Sequence, residues 1–488
     1  MQNIFDELKQ TPFYMYFSQI AAIPRSSGNE EAISGYIIEF AERYNLIWKR
    51  DRCFNVLIKK DGSPGYEDYN PVILQCHLDM VCEKRPGSGH DFTKDPILFT
   101  AEEGFLKAGE TSLGADNGVG IAYILSVLAD DTLIHPPIEA LFTAGEEVGL
   151  EGMAELDGEW VTGRQMVNMD GEEEGILYTS CAGGARYYIQ QTMSFEPIEA
   201  GKTGYRIAVE NLCGGHSGID IDKGKGNSII LLIRLIAELG ERYKIQVSDI
   251  GGGTKTNAIP RDAAAVIWVK RGQEEEFQNY VSGFAEKIKL EYGSNEPQLN
   301  VKLDVISVPG EAREVLTAES LNWLIDCILL LPNGVLGHSP HLPGVVESSS
   351  NLGMVSLEHE VLTLAGLVRA NNNSKMDETL LKIHRLAVRL GGSCEERNRY
   401  PAWEYRSESE LRELSARVYR KLFGQEIVTE SIHGGLECAL MFEKKKEIDM
   451  ISIGPDLYDV HTVNERADIA SIIRTWNYIV KLLEGMCT

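Results

Sequence analysis

The sequence lacks both an excess of positive charge and a long hydrophobic run. Its 488 residues include 47 Lys and Arg against 73 Asp and Glu, which gives a formal net charge of -26 at pH 7. Nucleic acids and anionic membrane surfaces repel such a chain at long range, so we expect neither as a partner. No segment reaches the ~18 apolar residues that a membrane-spanning helix needs. The sequence therefore predicts neither a nucleic-acid-binding nor a membrane protein.

Cysteine is sparse and irregularly spaced. The nine cysteines form no CxxC pair and no disulfide framework, and an odd number suits reduced thiols. The N-terminal segment MQNIFDELKQTPFYMYF contains acidic side chains and no uninterrupted apolar segment of the kind found in a secretory signal. We therefore expect a cytoplasmic protein.

The length of the chain predicts at least two domains, because a single hydrophobic core stops growing at roughly 250–300 residues. Residues 1–185 alternate helical and strand patterns, which predicts the first segment of an α/β catalytic domain. Residues 186–398 change to alternating strands and helices and are predicted to form an inserted α+β lid domain. Its order of elements suggests two related halves, although no sequence repeat is visible. Residues 399–488 return to the α/β pattern and are predicted to complete the catalytic domain.

Four short apolar runs are the predicted core strands of the catalytic domain, at 71–75, 139–144, 165–169 and 449–454. They are apolar at successive positions instead of alternate ones, which is typical of strands buried on both faces of a mostly parallel sheet. Residues 119–130 read as a crossover helix between two of them. The sequence thus predicts an α/β fold.

Polar side chains that could bind a metal ion follow these strands, where α/β sheets usually place their functional sites. They are His77, Asp79, Glu146, Glu147, Asp170 and His461, and Asp116 lies in a glycine-bounded turn before the predicted helix. Imidazole and carboxylate groups bind Zn²⁺, and a two-metal site needs a carboxylate that can bridge the ions. Each motif alone is more often an ordinary polar strand end or a solvated loop, but together they predict a metal site.

The chain resembles the aminoacyl-histidine dipeptidases (Xaa-His dipeptidases, peptidase D), relatives of the carnosinases among the co-catalytic zinc exopeptidases. The resemblance covers essentially the whole sequence. It is carried, in order, by QCHLDMVCEK, TSLGADNGVGIA, FTAGEEVGLEGM, NMDGEEEGILY, GGHSGIDI, TNAIPRDA, HGGLECAL and the segment 459–462.

The resemblance implies two Zn²⁺ ions in each chain, for which Mn²⁺ or Co²⁺ can substitute. Asp116 is expected to bridge the two ions. One ion is expected to be held also by His77 and Asp170, and the other by Glu147 and His461.

The resemblance also implies roles for two further carboxylates. Glu146 is expected to be the general base, and Asp79 is expected to contact the second ring nitrogen of His77. A carboxylate in that place fixes the tautomer of a histidine ligand and raises its basicity. In the resembling family the bridging aspartate precedes a cis peptide, so a cis bond is expected between Asp116 and Asn117.

Four residues match substrate-binding positions of the family, namely His216, Asn257, Arg369 and Gly435. His216 is expected to contact the substrate carbonyl, and Arg369 is expected to pair with the C-terminal carboxylate of the substrate. Taken alone, a histidine in a glycine-rich turn or an exposed arginine is most often an ordinary surface residue. The sequence is compatible with a homodimer formed through the lid domain, with His216 serving its own chain or a partner's.

The resulting hypothesis is a metallo-dipeptidase that prefers Xaa-His substrates, including carnosine-like β-alanyl-histidine. A related amidohydrolase, such as an N-acyl amino acid deacylase or a carboxypeptidase, is the main alternative. A noncatalytic metal-binding scaffold is a third reading, which the presence of Glu146 disfavours because a structural site needs no general base.

Overall fold

The computed structural model describes residues 2–306 and 314–488, which form two compact units. The first unit comprises Met1–Cys181, Tyr405–Ser431 and Leu436–Thr488, and the second comprises Ala182–Glu404 and Ile432–Gly435. The boundaries expected from the sequence, 185/186 and 398/399, lie close to these junctions. The sequence did not predict that the four residues Ile432–Gly435 belong to the second unit.

The helices and strands are numbered in chain order. The first segment of the first unit contains α1 (Gln2–Lys9), α2 (Pro12–Ala21), α3 (Glu31–Arg43), β1 (Ile47–Arg50), β2 (Val56–Lys60), β3 (Val72–His77), β4 (Phe99–Glu102), β5 (Phe105–Ala108), α4 (Ala115–Ala129), β6 (Ile138–Thr143), α5 (Glu151–Glu155), β7 (Gln165–Asn168) and β8 (Ile176–Cys181). The second unit contains β9 (Gly183–Thr192), β10 (Phe195–Pro197), β11 (Lys202–Glu210), β12 (Gly215–His216), α6 (Ser228–Arg242), β13 (Gln246–Gly252), β14 (Ala258–Ile259), β15 (Ala263–Lys270), α7 (Glu274–Tyr292), β16 (Asn300–Val305), β17 (Glu314–Leu316), α8 (Ala318–Leu330), β18 (Gly334–His338), β19 (Val346–Glu358), β20 (Val361–Ala370), α9 (Asn373–Arg389) and β21 (Ser393–Tyr400). The remaining elements are α10 (Glu410–Phe423), β22 (Val428–Ile432), α11 (Glu437–Lys444), β23 (Asp449–Ser452), β24 (Leu457–Tyr458), β25 (Arg466–Asp468) and α12 (Ile469–Gly485).

The main sheet of the first unit has the strand order β1-β2-β6-β3-β7-β23-β8-β22. Its four central strands, β6, β3, β7 and β23, are parallel, which confirms the parallel core predicted from the apolar runs. The outer strands β1, β2 and β8 pair antiparallel, so the sheet as a whole is mixed. Every residue of β3 and β6 is buried, because helices cover both faces of such a sheet. Parallel strands bring their carboxyl ends to one edge.

Within its described residues, the second unit contains a nine-stranded antiparallel sheet, two two-stranded sheets and four α-helices. Its strand order is β16-β11-β15-β13-β19-β20-β9-β21, with β18 paired to β19. The elements β11-α6-β13-β15-α7-β16 and β9-α8-β19-β20-α9-β21 have the same order, β-α-β-β-α-β, and the same strand arrangement. The pairing of Gly251 and Gly252 with Ser356 and Val355 joins these two halves. The topology therefore agrees with the expectation of two related halves.

Two properties expected from composition can be compared with the structure. None of the nine cysteines forms a disulfide bond. No helix in 2–306 or 314–488 is both long and apolar enough to cross a membrane.

Candidate metal centre

The residues proposed as metal ligands converge at the carboxyl ends of the parallel strands. His77 is the last residue of β3, and Glu147 and Asp170 lie in the loops that follow β6 and β7. Asp116 lies at the start of α4, and His461 lies in the loop between β24 and β25. Donor atoms of these side chains fall into groups within 4.8 Å that could hold a metal ion.

Asp116 joins two of these groups through its two carboxylate oxygens. Its Oδ1 lies 3.0 Å from His77 Nε2, and its Oδ2 lies 2.9 Å from His461 Nε2. Asp170 Oδ1 lies 3.3 Å from His77 Nε2, and Glu147 Oε1 lies 3.0 Å from His461 Nε2. The result is one set of His77, Asp116 and Asp170 and a second set of Asp116, Glu147 and His461. Imidazole nitrogen with carboxylate oxygen is a donor set suited to Zn²⁺.

Asp79 contacts His77 and the backbone of the two glutamates Glu146 and Glu147. Its backbone oxygen lies 3.1 Å and its Oδ1 3.5 Å from His77 Nδ1. Its two carboxylate oxygens also accept the backbone N–H groups of Glu146 and Glu147, at 3.1 and 3.2 Å, and Oδ2 accepts the Ser27 hydroxyl at 2.8 Å. Asp79 therefore fixes both the orientation of His77 and the turn that carries the two glutamates.

The backbone at Asp116 departs from the helix that follows it. Asp116 and Asn117 have non-helical dihedral angles, and the peptide bond between them is cis, as the resemblance implies. The Asn117 side chain donates to Asp170 Oδ1 at 2.6 Å and accepts the Gly120 N–H at 3.0 Å. His461 has a left-handed φ of 61°, a conformation uncommon outside glycine and frequent at functional sites.

Burial and hydrogen bonds raise the pKa values of several groups in the cluster. Burial raises the pKa of Glu146 well above its usual value, against a lowering effect of His77. Burial likewise raises the pKa values of Glu147 and Asp170. Hydrogen bonds to Asp116 and Glu147 raise the pKa of His461 to about 11. The carboxylates outnumber the imidazoles, so the cluster has a strong electrostatic preference for added positive charge.

A buried polar network lies under the cluster, among β3, β6, β7 and α11. Gln75 Nε2 donates to Glu437 Oε2 at 2.5 Å, and the Thr143 hydroxyl donates to the same oxygen at 2.6 Å. Asn168 Nδ2 donates to Gln75 Oε1 at 2.6 Å. Glu437 Oε1 has no hydrogen-bond partner. Burial raises the pKa of Glu437 to about 8, although His77 lowers it. The sequence reasoning did not single out any of these four residues.

In the second unit, Arg369 and His216 form a second polar cluster. Arg369 is 5% exposed, and its Nη1 donates to the Tyr400 hydroxyl at 2.8 Å. Its Nη2 lies 3.2 Å from His216 Nε2. Arg369 Nε has no hydrogen-bond partner, and within the described chain no carboxylate forms an ion pair with Arg369. Burial lowers the pKa of His216 to about 4, with a further contribution from Arg369, so the imidazole is neutral near pH 7.

The other two predicted substrate-binding residues adjoin this cluster. The backbone oxygen of Asn257 accepts the Ser217 N–H at 2.9 Å, directly beside His216. Gly435 belongs to the second unit, and a Cβ at this glycine would lie 3.1 Å from the Tyr400 ring. Tyr400 was not predicted as a site residue, because a tyrosine at the end of a polar strand carries no local sign of a partner.

Comparison with known proteins relates the chain to peptidases. Residues 207–296 match the family described as the M20 peptidase dimerisation domain. The cytosol non-specific dipeptidase of Escherichia coli K12 is 35% identical over 478 residues, which cover 98% of each chain.

Two solved structures extend this comparison. The aminoacylhistidine dipeptidase from Vibrio alginolyticus superimposes with a TM-score of 0.91 and 32% identity over 99% of both chains. Human carnosine dipeptidase 1 gives a TM-score of 0.50 at 11% identity over 100% of this chain and 99% of that one. At that identity the likeness concerns the fold alone.

Proposed function

The chain belongs to the M20 metallopeptidase family, in which it is an aminoacyl-histidine dipeptidase homologue, and from this premise we propose the substrate and the roles of its residues. The family assignment makes the chain a metal-dependent hydrolase of dipeptides. The proposed substrates are dipeptides with a free amino terminus and a C-terminal histidine, including β-alanyl-histidine. The observation that carries the site assignment is that each oxygen of Asp116 faces a different histidine.

We propose that two Zn²⁺ ions bind at this cluster, with Mn²⁺ or Co²⁺ as substitutes. Asp116 would contribute one oxygen to each set of ligands, His77 and Asp170 would complete one set, and Glu147 and His461 would complete the other. The donor chemistry fits this assignment, since all the groups are imidazole nitrogens or carboxylate oxygens within 4.8 Å of others in their set. Bound divalent cations polarise a carbonyl group and make water more acidic.

Glu146 is the proposed general base. Its carboxylate belongs to the same 4.8 Å group as His77 and Glu147, and burial raises its pKa well above that of an ordinary glutamate, which favours a carboxylate that accepts and returns a proton. Glu146 takes a proton from the attacking water and delivers it to the leaving amine nitrogen. Asp79 holds the backbone of Glu146 in place and orients His77.

Arg369 is the proposed partner of the substrate's terminal carboxylate. A planar guanidinium engages a carboxylate with two parallel hydrogen bonds, and Arg369 has a buried Nε that lacks a partner. His216 is proposed to donate to the scissile carbonyl oxygen, and Asn257 and Gly435 to line the substrate. Together these contacts make the enzyme an exopeptidase for short substrates.

Two further proposals concern the state of the protein. The match of 207–296 to a dimerisation domain supports a homodimer formed through the second unit. A cytoplasmic location is proposed from the nine cysteines, none of which forms a disulfide bond, and from the cytosolic relative in E. coli.

The test is a panel of substrates assayed with enzyme loaded with Zn²⁺, Mn²⁺ or Co²⁺. The panel contains Xaa-His dipeptides, the same dipeptides with leucine or alanine in place of histidine, and N-acetyl-histidine. The expected result is the highest kcat/KM for Xaa-His substrates and no turnover of the N-acetyl amino acid. Equal kcat/KM across all dipeptides would leave a broad dipeptidase, as the name of the E. coli relative describes. Preferential turnover of N-acetyl-histidine would instead identify a deacylase.

A further inference from the structure

The N-terminus of α4, which carries Asp116, is capped by a side chain from a distant part of the sequence. Its N-cap residue, Gly114, offers no side chain. Instead, Glu465 Oε2 accepts the backbone N–H groups of Leu113 and Gly114 at 2.7 and 2.8 Å. Glu465 Oε1 accepts those of Ala115 and Asp116 at 2.7 and 3.2 Å. Four consecutive donors that would otherwise be unsatisfied at a helix start thus converge on one carboxylate.

Arg25 binds the same segment through a backbone oxygen, whereas Glu465 binds its backbone N–H groups. The Arg25 guanidinium donates through Nη2 to the backbone oxygen of Gly114 at 2.5 Å. Through Nη1 it donates to the backbone oxygens of Leu78 and Asp79, at 3.0 and 2.9 Å. Arg25 and Glu465 are each 3% exposed. The guanidinium therefore ties the segment that follows His77 to the segment that precedes Asp116.

The packing leaves little freedom around these contacts. A Cβ built on Gly114 would lie 2.7 Å from Arg25 Nη2 and 2.6 Å from Met80 Sδ, and Gly114 has a left-handed φ of 69°. A Cβ on Gly118 would lie 2.9 Å from Arg25 Nη2. Only glycine fits at either position without displacing the guanidinium.

Three proposed ligands are therefore linked through two side chains that do not belong to the ligand sets. Arg25 connects the backbone beside His77 to the backbone beside Asp116. Glu465 connects Asp116 to the loop that carries His461, which lies four residues before Glu465 in the sequence. We propose that Arg25 and Glu465 are positioning residues that fix the separation of the two metal-binding sets and thereby set the affinity for the second metal ion. This inference rests on the two-metal site of the proposed function.

A purely structural role is the competing explanation, and the chain supplies a matched control for it. Glu139, in β6, is 2% exposed and also accepts two backbone N–H groups, from Thr162 and Gly163 at 2.7 and 2.9 Å. It pairs with Lys59 at 2.7 Å. Glu139 lies near the start of β6, whereas the metal cluster follows the end of that strand. Its loss should reduce stability without affecting the ligands.

The experiment compares Glu465→Gln, Arg25→Lys and Glu139→Gln with the wild type. In Glu465→Gln the amide NH₂ faces backbone N–H donors, so part of the cap is lost while the volume is kept. In Arg25→Lys a point-like ammonium replaces a planar fork that reaches three carbonyls. Metal-free proteins are titrated with Zn²⁺ against a competing chelator, and their unfolding temperatures are measured by calorimetry. The absorption spectrum of the Co²⁺-loaded forms reports ligand geometry independently of activity.

The expected result is a fall of about 10- to 100-fold in the affinity for one Zn²⁺ equivalent in both site variants, the range typical for residues that orient metal ligands. Glu139→Gln should bind both equivalents with wild-type affinity even where its unfolding temperature falls. Wild-type affinity in Glu465→Gln, or an equal loss in Glu139→Gln, would overturn the proposal. If Glu465→Gln does not fold, Glu465→Asp keeps the charge but retracts the carboxylate, and unchanged affinity there would also overturn it. Failure of the underlying two-metal assignment is distinguishable, because the wild type itself would then bind fewer than two equivalents.

Discussion

Replacement of Arg369 by methionine is the sharpest test of how this enzyme recognises its substrate. Methionine keeps an unbranched side chain of similar reach and removes the charge and all five N–H donors. In the structure Arg369 is 5% exposed, its Nη1 donates to the Tyr400 hydroxyl, and its buried Nε has no hydrogen-bond partner. The group is thus already desolvated and oriented before a carboxylate binds.

The burial and the fixed orientation of Arg369 determine how large a loss of kcat/KM we expect. An exposed ion pair contributes only about 0–1 kcal/mol, because water screens it and side-chain freedom is lost. Truncating one partner of a buried, hydrogen-bonded charge pair costs about 2–5 kcal/mol. Since each 1.4 kcal/mol is tenfold, Arg369→Met should lower kcat/KM for dipeptides by about thirtyfold to several thousandfold.

The assay measures kcat/KM for each dipeptide and for its C-terminal amide, in the wild type and in the variant. The amide lacks the negative charge, so the wild type should hydrolyse it poorly and Arg369→Met should affect it far less. Tyr400→Phe is a matched control that removes one hydrogen bond to Nη1 but keeps the charge, and its effect should be smaller. Equal losses for acid and amide, at unchanged metal content and fold, would refute the carboxylate role.

Three further predictions concern the first unit. Glu146→Gln should retain both metal ions and lose about 100- to 10,000-fold in kcat, the usual contribution of a general acid–base group; metal analysis beside kinetics checks this, and near-normal kcat would exclude Glu146 as the base. Chelation should abolish activity and added Zn²⁺, Mn²⁺ or Co²⁺ should restore it, whereas activity that survives complete metal removal would contradict the assignment. In the metal-free protein, Glu437 should make the free energy of unfolding pH-dependent, because its pKa rises from 4.5 to about 8 on folding. The stabilisation by protonated Glu437 is fully present below pH 4.5 and is lost as the pH rises through about 8. The free energy of unfolding should fall by about 5 kcal/mol at most over this range. Denaturant unfolding should show a flatter pH dependence in Glu437→Gln, and identical profiles would show that Glu437 titrates normally.

The parts of the fold that depend on local pattern could be predicted from the sequence. The crossover helix predicted at 119–130 lies in α4, which ends at Ala129. Helix α6 begins at Ser228, because the Asn227 side chain accepts the N–H groups of Ile229 and Ile230 as an N-cap. Helix α10 begins at Glu410, because the serine that caps it is Ser409 and not Ser407. Periodicity finds such elements, while their ends depend on which polar side chain caps them.

The excursion of Ile432–Gly435 into the second unit could not be predicted in this way. Ile432 is the last residue of β22, and the other three residues lie between this strand and the short helix α11; nothing in their composition differs from an ordinary loop. Their assignment follows from packing, as the Gly435 backbone against Tyr400 illustrates. Long-range packing of this kind has no local signal in a single sequence.

The metal cluster itself was predictable because its residues follow apolar strands whose carboxyl ends must meet. The side chains that support it were not. Glu465 contacts Leu113 across 352 positions, and Glu437 contacts Gln75 across 362, so neither pair is visible as a spacing. Arg25 lies in a polar stretch after α2 and gives no sign that it is buried. Supporting residues of this kind become visible only when the chain is folded.

Charge gives a final argument for the proposed substrate. The cluster in the first unit contains two imidazoles, those of His77 and His461. It also contains five carboxylates, those of Asp79, Asp116, Glu146, Glu147 and Asp170. Two divalent cations offset four of the five negative charges if the imidazoles bind as neutral ligands, which leaves one negative charge for a cation to balance. The second unit contains a buried arginine without an acidic partner in the described chain, which leaves one positive charge. The free ammonium of a dipeptide supplies a positive charge that offsets the excess negative charge of the first unit. An N-acyl amino acid supplies only the carboxylate, and this difference favours a dipeptidase over a deacylase on electrostatic grounds.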